Sequence, residues 1–348
     1  MIEKYSNKDK AAYEAFVASH ENGSFLQSSF WPSVKKEWKN EIIVSKDENG
    51  KINGAISLLI RKMPIPIFNV TVAYAPRGPV CDYTDTETMK ALLDEAKAVS
   101  KEYGACVVKC DPDKSYENAE LISAAKALGL KIKVHGLAYE NMQPICNHKI
   151  DLSKANHPLD LQFFCSKTRN LIRTANKRGA ELYYGTKDDI DEFYEIIKET
   201  EARKGISLRN AEYYRRMLDV IPKENLLFIL VKAEGRVIAG GIFILYGKTI
   251  TYSYSAMANG VGKYNAMYLI QYEIMRYGVE NGYDIYDMGG VDGNDLTEGI
   301  AVFKANFGGG VIRNIGELDA VIKPFEYFLF NFSLGTGRKI LKALRRKK

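Results

Sequence analysis

Short apolar runs alternate with longer stretches of helical spacing in the first third of the chain. The apolar runs predict strands at 52–60, 70–74 and 106–110, and amphipathic spacing predicts helices at 84–103 and 115–128. A Thr/Asp pair opens the first of these helices and Gly104 follows it, which is typical of helix ends. The alternation favours a mixed α/β fold.

A second series of elements repeats this order later in the chain. The pattern predicts strands at 228–233, 237–246, 249–256 and 283–287, with a helix at 264–281 before the last strand. Each series closes with a strand that runs into an acid, Asp111 or Asp287, and ENGKINGAIS resembles AEGRVIAGGI. We interpret the two series as one α/β unit used twice; the alternative is that any two α/β segments share this order.

The boundary between the two series is expected near residue 148, where a new segment opens. After three consecutive glycines at 308–310, the chain continues with a strand and an aromatic-rich helix, a segment too short to form a domain. We expect it to return to the first domain. The predicted domains are therefore 1–147 joined to 317–348, and 148–316.

Composition places the protein among ordinary globular chains. Of its 348 residues, 46% are hydrophobic and 26% are charged, values that argue against a disordered chain. No apolar run approaches the roughly 20 residues needed to cross a bilayer, and the charged start shows no secretory signal. Five cysteines without a C-x-x-C pair and four histidines make a zinc cluster improbable. We expect a protein of the reducing cytoplasm without a bound metal.

Positive charge is concentrated in two places. The tail Ser333–Lys348 holds seven basic residues and no acid, whereas the rest of the chain is almost neutral. A second patch at 163–178 contains Lys167, Arg169, Arg173 and Lys177 without an acid, and three of these share one helical face. This helix is either a solvated face or a contact for phosphate or RNA.

Nucleotide-binding motifs are absent, but three local features could carry chemistry. Neither G-x-x-x-x-G-K-[ST] nor a G-x-G-x-x-G after a strand occurs. The loop 259–263 at a helix start is either an anion site or a simple turn. Lys304 stands among Val302, Phe303 and Phe307, where a partly buried ammonium could meet an oxyanion. Asp111 ends a strand, as a site residue or as an Asx turn.

The ordered set of motifs resembles the FemABX family, non-ribosomal aminoacyltransferases that build peptidoglycan side bridges. The likeness covers nearly the whole chain, and each motif alone is loose while the ordered set is specific. The residues that carry it are 27–35 (QSSFWPSVK), 74–80 (YAPRGPV), 166–173 (SKTRNLIR), 204–209 (KGISLR), 283–290 (YDIYDMGG) and 302–307 (VFKANF).

This resemblance implies two tandem GNAT-like domains of the acyl-CoA N-acyltransferase fold, with the chain end returning to the first. Many members insert a coiled-coil arm into the second domain. Here 213–228 continues directly to the next strand, so the chain resembles the armless, FemX-like branch. The family's donor is an aminoacyl-tRNA. Its acceptor is the side-chain amine of stem-peptide residue three, in UDP-MurNAc-pentapeptide or lipid II, and no cofactor is needed.

The resemblance also assigns roles to individual residues. Lys304 would stabilise charge at the reacting carbonyl, Phe303 would shape its pocket and Asp111 would orient or deprotonate the amine. The precursor would be bound by Lys35, Arg77, Arg209 and Tyr254, and tRNA by Lys167, Arg169, Arg173 and Lys177.

Several expectations complete this interpretation. The amino acid transferred would be Gly, Ala or Ser, and the protein would act as a monomer. The basic tail is expected to contact tRNA or the inner membrane leaflet, or to be only a solvated end. The aromatic run 325–332 before it is expected to pack on the first domain, with an interfacial role as the alternative. An acyl-CoA-dependent N-acyltransferase and a non-enzymatic RNA- or membrane-binding protein remain the competing functions.

Overall fold

Two sheets flanked by helices make up the chain in this computed structural model, which describes residues 1–63, 70–134, 142–292 and 299–333. The first eleven elements are β1 (Ile2–Lys4), α1 (Lys10–Ser19), α2 (Trp31–Val34), β2 (Lys39–Lys46), β3 (Ile52–Lys62), β4 (Thr71–Ala75), β5 (Val80–Cys81), α3 (Thr86–Glu102), β6 (Ala105–Cys110), α4 (Ala119–Ala127) and β7 (Lys131–Lys133).

The later elements begin with a strand that opens the second sheet. They are β8 (Cys146–Asp151), α5 (Ser166–Lys177), β9 (Glu181–Tyr184), α6 (Ile190–Lys204), α7 (Ala211–Val220), β10 (Leu226–Ala233), β11 (Arg236–Tyr246), β12 (Thr249–Met257), α8 (Ala266–Glu280), β13 (Ile285–Gly290), α9 (Gly299–Ala305), β14 (Gly310–Arg313) and β15 (Glu317–Val321). A last helix, α10, occupies 324–333 of the described chain.

The chain divides into two compact units. The first unit comprises Met1–Gln143 together with the described residues from Asn314 onward, and the second comprises Pro144–Arg313. These boundaries lie a few residues before those drawn from the sequence at 147/148 and 316/317. In the described residues, no helix is both long and apolar enough to cross a membrane.

The sheet of the first unit has the order β1-β2-β3-β4-β6-β15-β7, and β5 pairs with β3. Its only parallel pair among the described strands is β4 with β6, so both strands end at the same edge. Strand β15, far along the chain, lies between β6 and β7 and pairs antiparallel with each. The short terminal segment therefore returns to the first unit as an internal strand.

Helix α3 shows how local sequence sets these elements. The Asp85 side chain accepts a hydrogen bond from Thr88 N at 3.0 Å and caps the helix start. Met89, Leu92 and Ala96 recur at helical spacing and are buried against the sheet. Helix α4 begins at Ala119, four residues later than the sequence predicted, because the Asn118 side chain caps Leu121 N at 2.8 Å.

The sheet of the second unit has the order β14-β8-β13-β12-β11-β10-β9. Here too one parallel pair, β12 with β13, stands among antiparallel neighbours within the described strands. The turn between β10 and β11 places Glu234 and Gly235 at positive φ, which suits a tight hairpin. Each unit thus contains one parallel pair. Asp111 directly follows β6 in the first unit, whereas Asp287 lies within β13, where the parallel register with β12 ends.

Candidate active site

In the first unit, Asp111 follows β6 as a buried carboxylate with defined partners. Its Oδ2 accepts a hydrogen bond from the Tyr74 hydroxyl at 2.6 Å, and its Oδ1 accepts one from Arg77 N at 2.7 Å. The Arg77 guanidinium donates to the Asp111 carbonyl at 3.2 Å. Because these partners lie upstream on and after β4, the carboxylate joins two chain segments.

The environment of Asp111 tunes its protonation. Burial raises the pKa of Asp111 to about 6, and the opposing effects of the Arg77 charge and the Tyr74 hydrogen bond are smaller. Arg77 is itself buried and has φ 58, a left-handed backbone that is uncommon for a residue with a side chain. Asp111 holds that backbone through Arg77 N. The result is a rigid carboxyl group that can exchange a proton near neutral pH.

Lys35 lies elsewhere in the first unit, at the end of the short helix α2. Its Nζ stands 5.0 Å from the centre of the Trp31 ring, a cation–π contact. The side chain is half-buried, while Trp31 is fully buried and fixes the helix end. The lysine is therefore presented from a rigid support.

In the second unit, Lys304 on α9 is 4% exposed. Its Nζ donates to the Gly290 carbonyl at 2.7 Å, at the end of β13. Burial lowers the pKa of Lys304 to about 8; the charge of Asp287 opposes this shift and that of Lys204 adds to it. The sequence predicted a partly buried lysine here, and this burial is confirmed. Such an ammonium is charged at neutral pH and can stabilise a developing negative charge.

Asp287, whose charge acts on this lysine, and Asn147 form a polar cluster that the sequence did not assign to the site. Gly289 N donates to Asp287 Oδ1 at 2.7 Å, and the Asn147 side-chain amide donates to both carboxylate oxygens. Gly289 has φ 78, and Gly290 has no room for a side chain because a Cβ would lie 2.6 Å from Pro144 Cγ. The signal in the sequence was an acid followed by two glycines after a buried strand.

Phe303 lies next to Lys304 on α9 and belongs to an aromatic cluster. Its ring meets Tyr268 at a centroid distance of 5.3 Å and Phe307 at 5.2 Å, both edge to face. The Tyr268 hydroxyl accepts a hydrogen bond from the Asn306 side chain at 3.0 Å. These contacts fix the position of α9, and hence of Lys304, against helix α8.

Arg209 and Tyr254 are brought together by Tyr213, a residue the sequence analysis did not single out. The Arg209 guanidinium lies 5.2 Å from the centre of the Tyr213 ring. The Tyr254 hydroxyl donates to the Tyr213 hydroxyl at 3.1 Å, and the two rings pack edge to face. Arg209 is exposed, Tyr254 is half-buried and Tyr213 is buried, so the cluster presents the guanidinium at the surface above two packed tyrosine rings.

The basic helix α5 is anchored close in sequence to Lys304. The buried Thr168 hydroxyl donates to the Asn306 carbonyl at 2.7 Å, two residues beyond Lys304. On the outer side of the helix Lys167, Arg173 and Lys177 are exposed. Arg169 is half-buried and donates to Gln162 Oε1 at 2.7 Å, so only part of the predicted basic face is open to solvent.

The glycine-containing loop and the basic tail, both noted in the sequence, do not contribute to the site as described. The glycine loop at 259–263 leads into a short 3-10 turn, and Lys263 pairs with Glu234 at 2.9 Å, which favours the turn over an anion site. Beyond Ser333, the basic tail lies outside the described residues.

Comparison with known proteins decides the family. The model of the FemAB family matches residues 9–235 and 228–333. The chain belongs to the FemAB family. This confirms the resemblance drawn from the ordered motifs, and it covers both units of this FemAB protein.

Two curated relatives cover almost the whole FemAB chain. The UDP-N-acetylmuramoylpentapeptide-lysine N(6)-alanyltransferase of Weissella viridescens is 30% identical over 325 residues, covering 90% of this chain and 94% of the relative. The lipid II:glycine glycyltransferase of Staphylococcus epidermidis is 27% identical over 388 aligned residues, covering 91% and 92%. That alignment is longer than this chain, so the glycyltransferase carries insertions that the FemAB protein described here lacks.

Solved structures support the predicted architecture. The crystal structure of FemX matches with a TM-score of 0.85 and 25% identity, covering 94% of this chain and 99% of that one. A tandem GNAT protein from the clavulanic acid biosynthesis pathway matches with a TM-score of 0.56 at 11% identity, a likeness of fold alone. The prediction of two tandem GNAT-like domains, with a returning terminal segment, is confirmed.

Proposed function

We propose that this FemAB protein is an aminoacyltransferase of peptidoglycan bridge synthesis. It adds Gly, Ala or Ser to the side-chain amine of residue three of the stem peptide, in UDP-MurNAc-pentapeptide or lipid II, with an aminoacyl-tRNA as donor. The near-complete match to an alanyltransferase and to FemX carries the reaction class. The buried, hydrogen-bonded Lys304 carries the assignment of a reaction centre.

The reaction needs a group that accepts a proton from the attacking amine. A lysine-type amine has a pKa of about 10.4 and attacks only after it loses its proton. Asp111, with a pKa raised to about 6, is ionised at neutral pH and held in place by Tyr74 and Arg77. We assign it to orient the amine and to receive the proton.

The reaction also needs a cation for the tetrahedral intermediate. Attack on the aminoacyl ester places negative charge on the former carbonyl oxygen. Lys304 supplies an ammonium whose position is fixed by Gly290 O and by the aromatic packing of Phe303. Its burial excludes competing water and strengthens the interaction. We assign Lys304 to stabilise this oxyanion.

Binding of the acceptor is assigned to a second group of residues. Lys35 offers a point charge, and Arg209 offers a guanidinium fork suited to a diphosphate. Tyr254 adds a hydroxyl to this group, because it is hydrogen-bonded to Tyr213, whose ring contacts Arg209. Arg77 is buried against Asp111. We therefore assign it to hold the Asp111 carboxylate in place, in addition to offering a positive charge to the precursor.

The donor side is assigned to helix α5. Its three exposed cations can contact tRNA phosphates, and Thr168 ties the helix to the segment that carries Lys304. Replacing Lys167, Arg173 and Lys177 by Gln is expected to weaken tRNA binding and to lower its salt slope by roughly 0.7–0.9 for each phosphate that is no longer neutralised. The matched control replaces Lys187, Lys198 and Arg236, basic residues of the same unit that pair with acids.

One experiment tests the function as a whole. Purified protein is incubated with tRNAs charged with Gly, Ala or Ser, or with acetyl-CoA, and with precursors that carry lysine or diaminopimelate at residue three. Mass spectrometry should show one aminoacyl addition from a charged tRNA, with soluble and lipid-linked acceptors run in parallel. Product from acetyl-CoA alone would establish the acyl-CoA-dependent alternative instead. Contact of the tail with tRNA or the inner leaflet, and the monomeric state, remain predictions.

A further inference from the structure

Helix α10 has two faces of opposite character. Tyr327 and Phe330 are 5% and 1% exposed and pack with Val70, Val72 and Val107 in a small core cluster. The other aromatic residues of the helix, Phe325, Phe328 and Phe332, are 70%, 62% and 63% exposed. The sequence-based expectation that this run packs on the first domain is thus correct for two of its five rings.

The three exposed rings form one stripe. They stand at i, i+3 and i+7, which places them on the side of the helix opposite to Tyr327 and Phe330. Phe328 and Phe332 stack with a centroid distance of 6.3 Å and an interplanar angle of 24°. A contiguous exposed aromatic stripe is unusual on a protein surface and marks a surface for interaction.

Positive charge accompanies the stripe. The sequence that starts at Ser333, immediately after the last exposed ring, carries seven basic residues and no acid through Lys348. Within α10 itself the acid is Glu326, and Lys323 precedes the helix.

We infer that α10 is a membrane-docking helix, whose exposed Phe325, Phe328 and Phe332 enter the interface of an anionic phospholipid bilayer. Aromatic rings favour the boundary between headgroups and acyl chains, and adjacent basic residues favour an anionic surface. Neither signal alone gives stable binding, but the two together do. The helix remains in the surface plane because Tyr327 and Phe330 hold its other side on the protein core.

Charge argues against a second copy of the chain as the occupant. A two-fold pairing through this stripe would place two identical surfaces face to face. Two segments of seven basic residues would then start at the same interface, and their repulsion would oppose the pairing. The inference does not depend on the proposed function, because it rests on surface chemistry and is tested without turnover.

The test is vesicle binding by the full chain. Wild type should bind vesicles that contain phosphatidylglycerol at least tenfold more tightly than vesicles of phosphatidylcholine alone. The triple variant Phe325→Ser, Phe328→Ser, Phe332→Ser should lose at least tenfold in binding to the anionic vesicles. A control that removes three exposed apolar side chains elsewhere, Tyr116→Ser, Ile206→Ser, Ile312→Ser, should bind like wild type.

A reporter variant keeps the inference testable if the triple variant folds poorly. Phe325→Trp preserves the aromatic character, and its added fluorescence should shift to shorter wavelength with anionic vesicles, whereas Tyr116→Trp should not respond. Wild-type failure to bind anionic vesicles at low salt would overturn the inference, as would unchanged binding by a folded triple variant. If wild type forms a dimer and binds no vesicles, and the triple variant is monomeric, the stripe is instead an interface with a second copy of the chain.

Discussion

Asn147 donates its side-chain amide to both carboxylate oxygens of Asp287, at 3.2 and 3.1 Å. Both side chains are buried, so this contact and Gly289 N fix where the negative charge sits. That charge opposes the loss of the Lys304 proton, which burial promotes. Burial is the larger influence on the pKa of Lys304, and Asp287, a residue that need not touch substrate, moderates it.

Replacing Asp287 by Asn is expected to move the alkaline limb of the pH profile. Activity should rise as Asp111 ionises near pH 6 and fall as Lys304 loses its proton near pH 8. Removing the Asp287 charge lowers the pKa of Lys304 further, so the alkaline limb moves to lower pH while the acid limb stays. Profiles of kcat/KM, corrected for donor hydrolysis, check this; an unshifted alkaline limb contradicts the role of Asp287.

The variant Lys304→Met is expected to lose transfer while gaining stability. Loss of an oxyanion partner typically costs about 10²–10³ in rate. A lysine whose folded pKa lies below its unfolded value destabilises the fold when charged, here by up to about 3 kcal/mol below pH 8. The penalty fades as pH rises toward the ordinary lysine value. Turnover and urea unfolding at pH 7 and pH 10 measure both effects.

Lys263→Met is the matched control for this variant, because Lys263 is an exposed lysine of the same unit paired with Glu234. It should leave turnover and stability nearly unchanged. Near wild-type turnover by Lys304→Met at saturating substrates would remove Lys304 from the reaction centre.

Lys35→Ala and Arg209→Ala are expected to raise the acceptor KM more than they lower kcat. Both side chains are assigned to a diphosphate remote from the reacting amine, so they contribute mainly uniform binding. Titration of UDP-MurNAc-pentapeptide measures the split, with Lys36→Ala and Arg236→Ala as exposed controls. An unchanged acceptor KM in both variants would exclude the assignment.

Asp319→Asn is expected to destabilise the protein by about 1.5–3 kcal/mol, because it removes one of the two carboxylates that bind a buried lysine while Glu317 stays in place. Lys109 Nζ lies 2.6 Å from Asp319 and 2.8 Å from Glu317, and all three side chains are buried. The control Asp94→Asn breaks only surface pairs and should cost less than about 1 kcal/mol. Equal losses in urea unfolding of the two variants would contradict the buried network.

Periodicity and end signals located most elements. The helix predicted at 84–103 is observed at Thr86–Glu102, and the strand predicted at 237–246 at Arg236–Tyr246. These succeed because the cap, the apolar spacing and the terminal glycine all act within a few residues. The start of α4 was misplaced because Asn118, and not the earlier polar residues, caps that helix.

Side-chain partners that are distant in the sequence, in the core and in the candidate site, could not be predicted in this way. Nothing near Lys109 in the sequence shows that its carboxylates lie more than 200 residues away. Tyr213 looks like one aromatic residue among many until its hydroxyl is seen beside Tyr254. Pairings of this kind depend on the sheet order, and the local chain does not encode that order.

The place of β15 inside the first sheet has a consequence for synthesis on the ribosome. At about 5–20 residues per second, roughly 10–40 s separate the appearance of Lys109 from that of Asp319. Throughout that interval, the nascent first unit has β6 and β7 without the strand that joins them, and its lysine lacks both carboxylates. The domain begun first is thus the last that can be completed. A message cut short before Glu317 yields a first unit with a gap inside its sheet.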